Sequence, residues 1–155
     1  GIREADAILD RMRDSGQLEL DTVLCNAFLS TAAADGSPEA LLTARDLLSA
    51  MRPGLRDSYT YSALLTLIGK TQGPAAAVKV LAEARDAGVR PNRYMYNAAL
   101  RVCSDAGQYL SVLSIASSMT REAVRWDDLT RTLVAEAKKQ AGLSGGRNDN
   151  YFSSD

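Results

Sequence analysis

The strongest constraint on this chain is a phrase that it repeats at a fixed interval. The segment "GLRDSYTYSAL" is echoed downstream by "GVRPNRYMYNAAL", and Tyr96 follows Tyr61 by 35 residues. Arg131 stands another 35 residues on, and Cys25 precedes Tyr61 by 36. Internal periods of about 20–50 residues are typical of repeat proteins. The sequence therefore predicts a stack of similar units.

Each unit is predicted to contain two helices. From each anchor, apolar residues recur at the spacing of one helix face, as in Tyr61, Leu64, Leu65 and Ile68. The turn segments "ADGSP", "TQGP" and "DAGQ" follow, and second helices are predicted over about 38–51, 74–87 and 109–121. Since one helix pair cannot bury both of its faces whereas stacked pairs can, the pattern predicts an all-α solenoid of helix-turn-helix units.

The predicted repeat array covers residues 1–141 and is followed by a flexible tail. Its units are about 22–57, 58–92 and 93–127, with a half-unit on each side, and the polar segment 142–155 is rich in Gly and Ser. The chain begins without Met in an already amphipathic stretch, "EADAILDRM". We expect it to be part of a longer protein whose targeting peptide would lie upstream.

Composition excludes several classes of function. The chain has no His, which rules out His-based catalysis, and its two Cys alone cannot form a structural zinc site. No run of eighteen apolar residues is present, so no membrane insertion is expected. The net charge of −1 gives no general attraction for nucleic acid. We expect no enzymatic activity, metal, cofactor or small-molecule substrate.

The 35-residue period and the boundary phrase, Gly-Val-x-Pro-Asn followed four residues later by Tyr-Asn, resemble the pentatricopeptide repeat family. The unit 93–127 departs from the family pattern, since Ala123 replaces Gly and Trp126 replaces Pro. The resemblance implies a right-handed α-solenoid that binds single-stranded RNA in mitochondria or chloroplasts. It would act in RNA processing, stability or translation, with one repeat reading one base.

The resemblance also implies which residues read the bases. The fifth and thirty-fifth residues of a family repeat choose the base together, and aromatic side chains that open each repeat can stack on it. By family rules an Asn–Asp pair prefers U and a Ser–Asn pair prefers A, which gives the word 5′-UAU-3′. The implied pairs are Asn26 with Asp57, Ser62 with Asn92, and Asn97 with Asp127, and the implied stacking residues are Tyr59 and Tyr94.

Other interpretations stay open at this stage. An Asn near a helix start commonly makes local hydrogen bonds, and Tyr59 and Tyr94 could pack between repeats. In the family, one position late in the first helix often carries a Lys or Arg that binds phosphate. In the three units here that position is occupied by Ala34, Lys70 and Asp105, so only one of the three is basic. The alternative function is therefore a structural, protein-binding subunit of a larger organellar assembly, such as a ribosome or a photosynthetic or respiratory complex.

Overall fold

The computed structural model describes residues 22–142, together with Ala7 and Asp10, which are helical. Residues 22–142 form α-helices and connecting turns without any β-strand, which confirms the all-α prediction. The predicted N-terminal half-unit, apart from those two residues, and the predicted tail beyond Gly142 lie outside the described residues. The α-helices are α1 (Thr22–Asp35), α2 (Pro38–Ala50), α3 (Ser58–Gln72), α4 (Pro74–Asp86), α5 (Arg93–Asp105), α6 (Tyr109–Arg121) and α7 (Asp128–Gln140).

The first helices α3, α5 and α7 each begin at a side-chain cap. Asp57, Asn92 and Asp127 are the N-cap residues of α3, α5 and α7, and each accepts a hydrogen bond from the backbone N–H three residues on. Such a cap satisfies one of the backbone donors that a helix leaves unpaired at its N-terminus. The 35-residue period of the sequence is thus a period of helix starts.

Left-handed residues follow the second helices α4 and α6. At Gly88 (φ 83°) the N–H of Val89 bonds the carbonyl of Ala84 at 2.8 Å, which closes a Schellman turn. Ala123 makes the same turn with φ 59°, and the N–H of Val124 bonds the carbonyl of Met119 at 2.8 Å. The turn that joins one repeat to the next (the seam between repeats) therefore keeps its backbone geometry where Ala replaces Gly, although Ala is strained in the left-handed region.

The helices stack in two rows. Successive first helices contact one another along α1, α3, α5 and α7, whereas each second helix contacts its own first helix and the first helix of the next repeat. The first helices therefore form a continuous row of neighbouring helices along the array. The anchors of the period, Cys25, Tyr61 and Tyr96, are buried between the rows as predicted.

The additional residue of the first unit lies in its closing loop. A short 3-10 helix, Pro53–Leu55, stands where the later units use a Schellman turn. The Thr22 hydroxyl donates to the carbonyl of Leu55 at 2.9 Å and ties this loop to the start of α1. The loop absorbs the extra residue, so the next first helix, α3, still starts in register beside α1.

Candidate nucleic-acid interface

Two of the three implied base-reading pairs are joined directly by a hydrogen bond. The side-chain amide nitrogen of Asn26 donates to Oδ1 of Asp57 at 3.0 Å, and that of Asn97 donates to Oδ2 of Asp127 at 2.9 Å. In each pair the Asn lies in the first turns of one repeat's first helix, and the Asp caps the next repeat's first helix. Residues 31 and 30 apart in sequence thus meet at the seam between repeats.

A threonine holds the other end of each amide. The Thr60 hydroxyl lies 2.6 Å from Oδ1 of Asn26, and the Thr130 hydroxyl lies 2.8 Å from Oδ1 of Asn97. Both threonines also complete a capping box with the Asp of the pair. The same three-residue network, Asn, Asp and Thr, therefore occurs at two seams of the array.

The chemistry of this network fixes the orientation of the amide. Burial disfavours the ionised form of Asp127, but hydrogen bonds from Thr130 and Asn97 and the charge of Arg93 outweigh it and lower the pKa of the carboxyl. An ionised carboxylate only accepts hydrogen bonds, so the amide nitrogen, and not the oxygen, must face it. One amide N–H and one lone pair of the amide oxygen remain for another partner.

The middle pair is built differently. Asn92 accepts a hydrogen bond from the backbone N–H of Met95 at 3.1 Å and so acts as a helix cap. The hydroxyl of Ser62 is buried and has no hydrogen-bond partner among the described residues. Met95 stands at the place that Thr60 and Thr130 hold in their helices, so no side-chain hydroxyl is available there. A buried hydroxyl without a partner costs about 1–3 kcal/mol, which a ligand could relieve.

The two tyrosines implied as stacking residues face one another. Tyr59 and Tyr94 are 59% and 53% exposed, with ring centroids 5.9 Å apart and planes inclined by 30°. A base stacked between two rings needs about 6.8 Å, twice the stacking distance of about 3.4 Å. The two rings are therefore too close for a base to lie between them, and they must separate before one can enter.

Shallow cavities lie along the row of first helices. One of about 350 Å³, between α1 and α3, is lined by Tyr59, Ser62 and Lys70 among others. A second, of about 300 Å³, lies between α3 and α5, and Lys70 and Arg101 contribute to its lining. The exposed tyrosine, the unpartnered hydroxyl and the cations therefore share one face of the array.

Part of the chain that carries this face is similar to known repeat proteins. The model of the pentatricopeptide repeat domain matches residues 50–106, the segment that contains Ser62, Asn92 and Asn97. This segment of the chain is similar to the repeats of the pentatricopeptide repeat family. A chloroplastic pentatricopeptide repeat-containing protein of Arabidopsis thaliana is 33% identical over 90 residues, which are 57% of this chain. The chain spans about a tenth of the length of that relative.

Two cations, Lys70 and Arg101, line the cavities along the row of first helices. The amine of Lys70 donates to the backbone carbonyl of Ala33 at 2.7 Å and caps the end of α1. Arg101 is exposed in the cavity between α3 and α5, one turn before Asp105. Arg101 is not among the residues that the sequence predicts for RNA binding, although its spacing of four residues from Asp105 places both on one helix face.

The described residues contain neither a metal-binding cluster nor a membrane-spanning helix. Across the described residues, no three His, Cys, Asp or Glu side chains are grouped so that they could hold a metal ion. None of the helices described above has both the length and the apolar character needed to cross a bilayer.

Proposed function

We propose that this array binds single-stranded RNA along the face of its first helices, and that it acts in mitochondrial or chloroplast RNA processing, stability or translation. The observation that carries the proposal is the repeated Asn–Asp pair, in which the amides of Asn26 and Asn97 are oriented by Asp57 and Asp127. The buried Ser62 hydroxyl between the two pairs lacks a partner among the described residues and adds support.

An oriented amide distinguishes uracil from cytosine. Uracil presents an acceptor at O4 beside the donor N3–H, whereas cytosine presents a donor at N4 beside an unprotonated N3. With its nitrogen turned to Asp127, the amide of Asn97 offers one N–H and one oxygen lone pair in a fixed order. That order suits uracil and mismatches cytosine in both contacts. A two-point contact of this kind is worth about 1–3 kcal/mol of discrimination.

The middle repeat suits a purine through different contacts. The Ser62 hydroxyl can both donate and accept, so it can meet the N1 acceptor or the N6 amino donor of adenine. Tyr59 lines the same cavity and offers an exposed ring for stacking, which contributes about 1–3 kcal/mol per base. The proposed word is therefore 5′-UAU-3′, read by Asn26, Ser62 and Asn97 in that order.

Binding to short RNAs tests the proposal. We expect tighter binding to RNA containing UAU than to a scrambled word, with an affinity that falls as salt rises. Asn97→Ser should change the base preference at the third letter only. The matched control is Ala98→Ser, which adds the same hydroxyl one residue along α5, beside the cavity rather than at the pair. Equal affinity for both words, or none, would refute the proposal.

A protein-binding role is the second candidate, and the charge of the chain favours it. The net charge is −1, and Lys70 already donates to the Ala33 carbonyl. In that case the array would hold protein subunits together in a larger organellar assembly. Purification after nuclease treatment separates the two candidates. Partners retained in fixed stoichiometry support the assembly role, whereas release of every partner by the nuclease contradicts it.

A further inference from the structure

We infer that Thr60 and Thr130 are positioning residues that set the base choice of the asparagine in the preceding repeat. The inference rests on the proposed RNA-binding function. Each threonine belongs to the repeat after the Asn that it contacts: Thr60 in α3 reaches Asn26 in α1, and Thr130 in α7 reaches Asn97 in α5. The specificity of one repeat thus depends on a side chain of the next.

The hydroxyl of each threonine is enclosed. Thr60 and Thr130 are 0% exposed, so the protein and not water must satisfy them. The Thr130 oxygen accepts from the backbone N–H of Asp127 at 3.2 Å, and it lies 2.8 Å both from Oδ1 of Asp127 and from Oδ1 of Asn97. Its single proton is shared between these two acceptors, and the amide oxygen of Asn97 is one of them.

Two attachments are needed to fix an amide plane. The terminal torsion of Asn is broad, so one hydrogen bond to Asp127 leaves the amide free to swing about that contact. The second contact, from Thr130 to Oδ1, holds the opposite end and sets which lone pair of the oxygen is left for a base. Asp127 therefore determines which end of the Asn97 amide faces the carboxylate, and Thr130 fixes the plane of that amide.

The middle seam provides a natural comparison. There the reading residue is Ser62, and the place of the threonine is taken by Met95, which has no hydroxyl. A serine hydroxyl turns about its own bond to suit a partner and has no plane to be held. Among the three seams between residues 22 and 142, the threonine is present at the two where the proposed base-contacting residue is Asn. It is absent at the one where that residue is Ser.

The test replaces the hydroxyl without changing the shape of the side chain. In Thr130→Val we expect the ratio of affinities for RNAs with U and with C at the third letter to fall by about fivefold or more, because one of two attachments is lost. The corresponding ratio at the first letter should not change. Thr130→Ser should restore the ratio, since it returns the hydroxyl.

A merely structural role predicts a different result. If Thr130 only caps α7, Thr130→Val weakens all RNAs by one common factor and leaves the U-to-C ratio unchanged, which overturns the inference. Thr120→Val is the matched control, because that exposed hydroxyl bonds only the Ala116 carbonyl within α6. If the Thr130 variant fails to fold, Thr60→Val with the first letter varied makes the same test.

A measurement without RNA separates this inference from the proposed function. The side-chain amide signals of Asn97 in nuclear magnetic resonance spectra should shift and broaden in Thr130→Val and return in Thr130→Ser. Unchanged signals would overturn the inference. A wild-type protein that does not distinguish UAU from a scrambled word defeats the proposed function, whereas discrimination that survives Thr130→Val defeats only the role of the threonine.

Discussion

Removing the Tyr96 hydroxyl tests how the last two complete repeats are held together. This hydroxyl donates to Oε2 of Glu122 at 2.7 Å and accepts from the guanidinium of Arg85 at 2.7 Å. Arg85 also bonds Oε1 of Glu122 at 2.7 Å, which closes a three-membered cluster. Since Arg85 lies on α4, Tyr96 on α5 and Glu122 at the end of α6, the cluster joins three elements.

The expected cost of Tyr96→Phe follows from burial and charge. Tyr96 is fully buried, and both of its hydrogen bonds involve charged groups, for which about 1.5–3 kcal/mol per bond is typical. The side chains of Arg85 and Glu122 are 41% and 32% exposed, so water can replace much of what they lose. We expect the free energy of unfolding to fall by about 1–2 kcal/mol.

The preceding repeat supplies a matched control. Tyr61 occupies the equivalent position and is also buried, but Ala87 stands where the next repeat has Glu122. The Tyr61 hydroxyl therefore makes no hydrogen bond within residues 22–142. Tyr61→Phe should therefore cost less than about 0.5 kcal/mol. Urea unfolding followed by circular dichroism measures both variants. Equal losses, or a larger loss for Tyr61→Phe, would refute the reasoning.

The same cluster predicts a pH dependence. Burial and the hydrogen bond to Glu122 raise the pKa of Tyr96 to about 12, so the contribution to stability is complete below about pH 10 and is lost as pH rises through 12. Burial opposes ionisation of Glu122, but the bonds from Tyr96 and Arg85 prevail and lower its pKa. Its contribution is therefore lost as pH falls below about 4. The deficit of Tyr96→Phe should be constant between these limits and shrink outside them.

Three further changes test other features of the array. Ala123→Gly should raise the free energy of unfolding by about 0.5–1 kcal/mol, because relief of the left-handed strain exceeds the added chain entropy; a lower denaturation midpoint would contradict this. Gly69→Ala should lower it by about 1–2 kcal/mol, because a Cβ there would lie 2.5 Å from a Val102 methyl carbon. Val102→Ala in the same chain should restore most of that loss, and no rescue would disprove the contact. Asp127→Ala should cost about 1–2 kcal/mol through the lost helix cap. Because the pKa of Asp127 is lowered in the fold, acid titration of this variant should show a smaller loss of stability below about pH 4, and an unchanged acid profile would count against the cap.

The repeat geometry could be predicted from the sequence because it depends on local signals. The predicted second helices, 38–51, 74–87 and 109–121, agree with the observed Pro38–Ala50, Pro74–Asp86 and Tyr109–Arg121 to within a residue. Pro at the first helical position marks the starts of α2 and α4, and left-handed residues after the last turn mark the ends of α4 and α6. The family resemblance is likewise confirmed by the match over residues 50–106.

Contacts across the seams could not be predicted in this way. Tyr96 was correctly assigned to the core, but its partners Arg85 and Glu122 lie 11 and 26 residues away and recur in no other unit of the described chain. Lys70 resembled a phosphate ligand by position, yet it donates to a carbonyl 37 residues earlier. A sequence period reveals only the features that the repeats have in common. Each of these contacts occurs at one seam and so leaves no periodic signal. The role of the eight implied RNA-binding residues stays a prediction.

Under the RNA-binding function proposed above, the two roles of Asp57 and Asp127 restrict how the array can change its target. Each residue starts the helix of one repeat while it orients the amide of another. Helix starts accept few side chains well, chiefly Asn, Asp, Ser and Thr. A mutation that changes the proposed base preference at this position must therefore introduce one of these helix-capping residues, or it will weaken the fold. The set of base sequences that related proteins can recognise would then be limited by which residues can begin a helix as much as by the chemistry of RNA.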